Sequence, residues 1–173
     1  MRTIKINGKT YNIKFSYRAA KYESCVESAF AMLSGATIMG SVSDSETPKY
    51  SDFIKGTCKQ IGTIPNLCDK FFYAGLLDDR ENEFRPKTEE EAGDLLIDYM
   101  EENNKNYDEI CNSLMDCMKE DGFFEKSGIQ AKLNLLQENM EKAQETMENP
   151  AQSEEKNIVP IKKTTTKKKA TTK

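Results

Sequence analysis

The chain has 173 residues, with 25 Lys and Arg against 29 Asp and Glu, a formal net charge of −4, and no His. That length suits one domain, and the lack of His removes the usual general base, the usual metal ligand, and the Ser-His and Cys-His nucleophile pairs. Charge is segregated: residues 151–173 carry seven Lys and two Glu, which leaves 18 basic and 27 acidic residues for 1–150, so the folded part is acidic and argues against nucleic acid as its partner.

The first local signal is Ile4-Lys5-Ile6-Asn7-Gly8-Lys9-Thr10-Tyr11-Asn12-Ile13-Lys14-Phe15. Asn-Gly is the preferred two-residue hairpin turn, because both central residues need positive φ. Pairing across it sets Ile6 opposite Lys9 and Ile4 opposite Tyr11. Ile4, Ile6, Tyr11, Ile13 and Phe15 then share an apolar face, while Thr3, Lys5, Thr10, Asn12 and Lys14 face water. A lone hairpin is marginal, so later elements must cover the apolar side.

Helical patterns follow. Ser16 is the expected N-cap of a helix using Ala19, Tyr22, Val26, Phe30 and Leu33, with Gly35 as its stop. Residues 35–50 read as a loop, or a loop with a short helical turn. A second helix opens near Tyr50 or Ser51 and carries Phe53, Ile54, Thr57, Cys58 and Ile61. Gly62 and Pro65 are expected to interrupt it, and Pro65 to open a third helix with Leu67, Cys68, Phe71, Phe72, Gly75 and Leu76. This stretch is the most apolar in the chain and is the expected centre of the core. After the polar connection 78–87, Thr88 and Glu91 have capping-box spacing ahead of Ala92, Leu95, Leu96, Tyr99 and Met100. Asn103–Asn106 breaks that helix. The next runs from about Tyr107 to Asp121, with Ile110, Leu114, Cys117 and Met118 inward and Gly122 as its stop.

The last pattern differs in kind. Ile129, Leu133, Leu136, Met140, Ala143 and Met147 recur at alternating spacings of four and three, which is a heptad seam. Such a seam either packs on the hairpin and other helices or offers anchors to a partner helix. The candidate partner-binding residues are therefore Ile129, Leu133, Leu136, Met140 and Met147. Beyond Asn149-Pro150 large apolar side chains are scarce, and residues 149–173 are expected to be disordered. The expected fold is mainly α: an N-terminal β-hairpin packed on a bundle of about five to six helices. The expected parts are a hairpin-plus-helix domain over 1–122, an amphipathic heptad helix over 123–148, and a disordered Lys/Thr-rich tail.

Little chemistry is on offer. The cysteines, Cys25, Cys58, Cys68, Cys111 and Cys117, are odd in number and lack a Cys-x-x-Cys pair. Buried free thiols in a reducing cytoplasm are expected. Zinc would need four thiolates in close pairs, and no phosphate loop occurs. Asp78-Asp79 and Glu89-Glu90-Glu91 read as solvated charges, favourable at a helix start. No catalytic residue, cofactor or metal is expected. No signal peptide is expected at the N-terminus, and no stretch approaches the roughly 18 apolar residues of a membrane span.

The opening TIKINGKTYNIKFSYRAAKYES resembles the start of the tail assembly chaperones of long-tailed bacteriophages, above all those of phages and prophages of Gram-positive hosts. Ile4, Ile6, Gly8, Lys9, Tyr11 and Phe15 match their hairpin pattern, and a helix follows at once. The run FFYAGLL at 71–77 and LLIDYMEENN at 95–104 are similar to the family's helical body, so the resemblance covers residues 1–122. The heptad helix and the tail are additions to the family's pattern. The resemblance implies a non-enzymatic protein, often made in two forms by ribosomal frameshifting. It would bind the tape measure protein, keep it soluble and recruit major tail tube protein subunits in the host bacterial cytoplasm, and be absent from the mature virion. The alternative is a small adaptor or regulatory protein of a mobile element, contacting nucleic acid through its basic C-terminal tail.

Overall fold

The structure is a computed structural model that describes residues 1–35 and 50–148, apart from the side chains of Asp52, Phe53, Gln60 and 143–148. The expected loop at 36–49 and the expected disordered tail at 149–173 lie outside the described residues. Described residues fall into two compact units, Met1–Leu135 and one beginning at Leu136.

The hairpin forms as its sequence dictates. Strands β1 (Arg2–Ile6) and β2 (Lys9–Ile13) pair antiparallel, with Ile6 opposite Lys9 and Ile4 opposite Tyr11. Asn7 and Gly8 turn the chain at φ of 50° and 74°, the left-handed pair that matches strand twist. Ile4, Ile6, Tyr11, Ile13 and Phe15 are buried, whereas Thr3, Lys5, Thr10 and Lys14 are exposed; Asn12, expected to face water, is half-buried because it bonds Asp79. The turn is tied down by α3 (Glu89–Asn103): the Asn7 backbone N–H donates to Glu102 Oε1 at 2.9 Å and Asn7 Nδ2 to Asp98 Oδ2 at 2.8 Å.

The next segment departs from expectation. Ser16 does not cap a helix. Its Oγ accepts from the Arg18 N–H at 3.1 Å and its carbonyl from the Ala20 N–H at 3.1 Å, so the hydroxyl closes a local turn instead. A 3-10 turn over Ala19–Lys21 follows, and α1 (Glu23–Leu33) begins later. The buried positions of α1 are Cys25 and Ala29, with Val26 and Phe30 packed beside them, and Leu33 is exposed. Small residues thus make the closest contact of this helix.

Helix α2 (Tyr50–Leu76) is one 27-residue helix that runs through Gly62 and Pro65, where a break was expected. Proline removes one N–H bond, that to the Ile61 carbonyl. Ile61 is 60% exposed, so solvent is at hand for that carbonyl, and packing of the following turns outweighs the loss. Cys68, Phe71, Phe72, Ala74 and Leu76 form the centre of the core, as expected. Gly75 lets β2 approach closely: a Cβ there would lie 2.8 Å from Ile13 Cγ2, and the Lys14 N–H donates to the Gly75 carbonyl at 2.8 Å.

Thr88 caps α3 by accepting from the Glu91 N–H at 3.1 Å. The Glu91 carboxylate takes the Lys87 N–H at 2.6 Å, one residue outside the expected reciprocal partner. Asn104, at φ 50°, ends α3. A full capping box starts α4 (Tyr107–Glu120), where Asn106 and Glu109 satisfy each other's backbone N–H at 2.9 and 3.0 Å. Ile110, Cys111, Leu114, Cys117 and Met118 are its buried side. The one-turn helix α5 (Phe123–Lys126) sets the Phe123 ring edge-on to Phe15, 5.6 Å between centroids. Phe123 is therefore a core residue, and the first unit runs past residue 122.

Two carboxylates pin the hairpin. Asp121 accepts from the Phe15 N–H at 2.7 Å and pairs with the Met1 ammonium at 3.0 Å. Asp79 accepts from the Asn12 N–H at 2.9 Å, from Asn12 Nδ2 at 3.2 Å and from Asn82 Nδ2 at 2.9 Å. Burial pushes both acids up, but these hydrogen bonds, with the Met1 ammonium and Lys126 beside Asp121 and Arg85 beside Asp79, outweigh it. Both carboxyls are held below the usual range.

Candidate partner-binding surface

Helix α6 (Ile129–Glu148) carries the seam that the spacing singled out, and the structure divides it. Ile129 is 2% exposed and belongs to the core, and Leu133 packs against that core. Leu136 and Met140 are 42% and 57% exposed. The side chain of Met147 lies outside the described residues. Leu135, off the seam, is 49% exposed and adds apolar surface that heptad spacing does not identify. The only signal for it in the sequence is the Leu135-Leu136 doublet.

The surroundings of the exposed pair are neutral. In the heptad register the flanking positions are Gln130, Gln137, Gln144, Asn139 and Thr146, with Lys132 the one charge among them. Glu138, Glu141, Lys142, Glu145 and Glu148 fall at the remaining positions. Gln130 Nε2 donates to Asn134 Oδ1 at 2.9 Å and Gln137 Nε2 to Glu141 Oε1 at 3.0 Å. These are i,i+4 bonds that steady a helix. A partner helix on Leu136 and Met140 would meet apolar anchors and amide groups, with few charges to desolvate.

A second exposed apolar group lies on the first half of α2, where Tyr50, Ile54 and Ile61 are exposed. Cys58 is exposed with them, which corrects the expectation that all five thiols are buried. The sequence pattern of this half is amphipathic, and Ile54 and Ile61 are left 41% and 60% exposed.

Three of the buried thiols, Cys25, Cys68 and Cys117, are pushed toward the protonated form, whereas the contact with Cys68 lowers Cys111. Burial, with Glu89 nearby, pushes the Cys25 thiol up to about 12. In the core Cys68 lies beside Cys111, and its Sγ donates to the Tyr107 carbonyl at 3.4 Å. The Cys111 contact and burial push the Cys68 thiol far above the ordinary range. Tyr22 is raised to about 12 by burial and by its hydrogen bond to Glu89. The shifts of Cys25, Cys68 and Tyr22 favour the neutral form, the opposite of nucleophile activation. Among the described residues no group of three His, Cys, Asp or Glu could hold a metal ion, and no helix is long and apolar enough to cross a membrane.

Compared with known proteins, the chain matches no family model, no curated protein and no solved structure.

Proposed function

We propose that this chain is a tail assembly chaperone of a long-tailed bacteriophage or prophage of a Gram-positive host. In this reading it binds the tape measure protein, keeps that helical chain soluble, and recruits major tail tube protein subunits around it. It acts in the host bacterial cytoplasm and is left out of the mature virion.

The observation that carries the reading is the solvent-exposed Leu135, Leu136 and Met140 on α6. Apolar side chains left open on a helix are suited to helix-in-groove recognition, and Met adapts to varied partner shapes. Long apolar stripes on a helical chain aggregate unless covered. The hairpin bearing Ile4, Ile6, Gly8, Lys9, Tyr11 and Phe15 supports the family assignment, and the excess of acidic residues over 1–150 favours a protein partner over nucleic acid.

Co-expression tests it. With this chain present, the tape measure protein of the same phage should move from the insoluble to the soluble fraction and copurify. Because the seam is flanked mainly by neutral residues, the complex should persist as salt rises. If the tape measure protein stays insoluble at every ratio, and the chain instead binds an oligonucleotide with steep salt dependence, the nucleic-acid adaptor reading replaces this one.

A further inference from the structure

One edge of this acidic body has the opposite sign. Arg18 and Lys21, from the 3-10 turn before α1, face Arg80 and Arg85, from the connection after α2. With Leu77 they line an open cleft of about 520 Å³. A second depression of about 410 Å³ adjoins it, sharing Arg18 and Lys21 and adding Ser16, Tyr17 and Asp78.

The charges in this groove are not balanced. Among the described residues two carboxylates oppose its four cations: Asp78 pairs with Arg18 at 3.0 Å, and Asp79 lies near Arg85. Arg85 Nη1 donates to the Leu77 carbonyl at 3.1 Å, which fixes the guanidinium at the cleft wall. Lys21 and Arg80 are exposed, and among the described residues their side chains have no partner. Lys126 adds a cation 6.0 Å from the centre of the Tyr17 ring at the other end. Gathering like charges is unfavourable, so an anion placed among them gains what the folded chain alone forgoes.

We propose that this groove binds an extended acidic segment of a protein partner. Its carboxylates would lie against Lys21, Arg80 and the Arg18 and Arg85 forks, and a large apolar side chain would lie against Tyr17. Guanidinium forks match carboxylates in two-bond geometry. Two adjoining depressions fit a strand of residues better than a single ion, and Leu77 and the exposed Tyr17 offer apolar contact that a bare phosphate would not use. The acidic balance of residues 1–150 disfavours a long polyanion such as nucleic acid. The groove shares no residue with the α6 seam and stands without the tail-assembly reading.

Fluorescence anisotropy of a fluorescein-labelled peptide of alternating glutamate and leucine, titrated with the full chain, tests the groove. The double variant Lys21→Glu/Arg80→Glu should lose at least about tenfold in affinity. Lys105→Glu/Lys119→Glu, which makes the same charge change at exposed positions elsewhere, should stay within about twofold. Circular dichroism melts check folding, and Lys21→Gln/Arg80→Gln replaces the first variant if it melts early. Equal losses in the cleft and control variants would mean attraction by net charge alone and would overturn the proposal. So would a wild-type chain that does not bind the peptide at millimolar concentration. Displacement of the peptide by inorganic phosphate or oligothymidylate more effectively than by unlabelled peptide would assign the groove to phosphate and equally refute it.

Discussion

Asp121 and Asp79 show how single side chains fasten a marginal hairpin to a helical body. Each carboxylate accepts a backbone N–H from the second strand's side of the hairpin, Phe15 for Asp121 and Asn12 for Asp79. Each is held below the ordinary carboxyl range by those bonds against the opposing effect of burial. A carboxyl depressed in the folded state contributes stability that is full above its unfolded pKa and is lost as pH falls through the lower, folded value. Asp69 works the other way. Burial first, then Glu89 and Asp94, raise its carboxyl, so its protonation favours the fold as pH drops. Urea midpoints measured from neutral pH down to about pH 3 should therefore fall. Asp121→Asn should flatten the decline, and Asp69→Asn should raise the neutral-pH midpoint and steepen the decline. Midpoint curves that run parallel in all three chains would contradict these assignments. Neither aspartate was legible as an anchor in the sequence, because the hairpin groups they hold lie far along the chain, Met1 and Phe15 more than a hundred residues from Asp121 and Asn12 67 residues from Asp79. The Gly75 approach to Ile13 was equally hidden, since a glycine inside a helical pattern carries no label for what lies opposite.

Among the elements, those whose signals are local came out as read. Turn chemistry and strand alternation set the register of the hairpin, down to the Ile4–Tyr11 pair, but not the half-buried Asn12, which Asp79 holds. Asn-rich and Gly-containing stops ended α3 and α4, at Asn104 and before Gly122. The failures share a cause: a local rule met a competing interaction. Pro65 signals a helix start only where the preceding turn is free to stop, and the core contacts of Cys68, Phe71 and Phe72 hold α2 together across it. Ser16 had an equally good local use for its hydroxyl, the turn at Arg18. The hairpin facing has a direct check. Ile13→Asp puts a charge on the covered face and should cost about 2–5 kcal/mol in a denaturant melt. Thr10→Asp on the wet face should cost under about 1 kcal/mol. Comparable losses would mean that both faces are packed.

For the molecule as a whole, the question is which part of the heptad seam belongs to the fold and which to a partner. Spacing alone shows one continuous stripe, because a heptad repeat records what a helix can bury and not what buries it. Burial separates the two uses: Ile129 and Leu133 are in or against the core, whereas Leu136 and Met140 are exposed. Replacing Ile129 and Leu133 together by Lys should lower the melting temperature sharply, because two charged groups would enter packed positions. Replacing Leu136 and Met140 together by Lys should leave the melting temperature within about 2 °C, as exposed substitutions generally do. The same variant should nonetheless fail to solubilise the tape measure protein. Each anchor contributes about 1.5–3 kcal/mol when fully buried by a partner, so losing both weakens binding by two orders of magnitude or more. A folded Leu136→Lys/Met140→Lys chain that still solubilises the tape measure protein would move the binding surface off α6. The exposed Tyr50, Ile54 and Ile61 of α2 would then be the next surface to substitute, because among the described residues they are the other large apolar side chains left open on one helix.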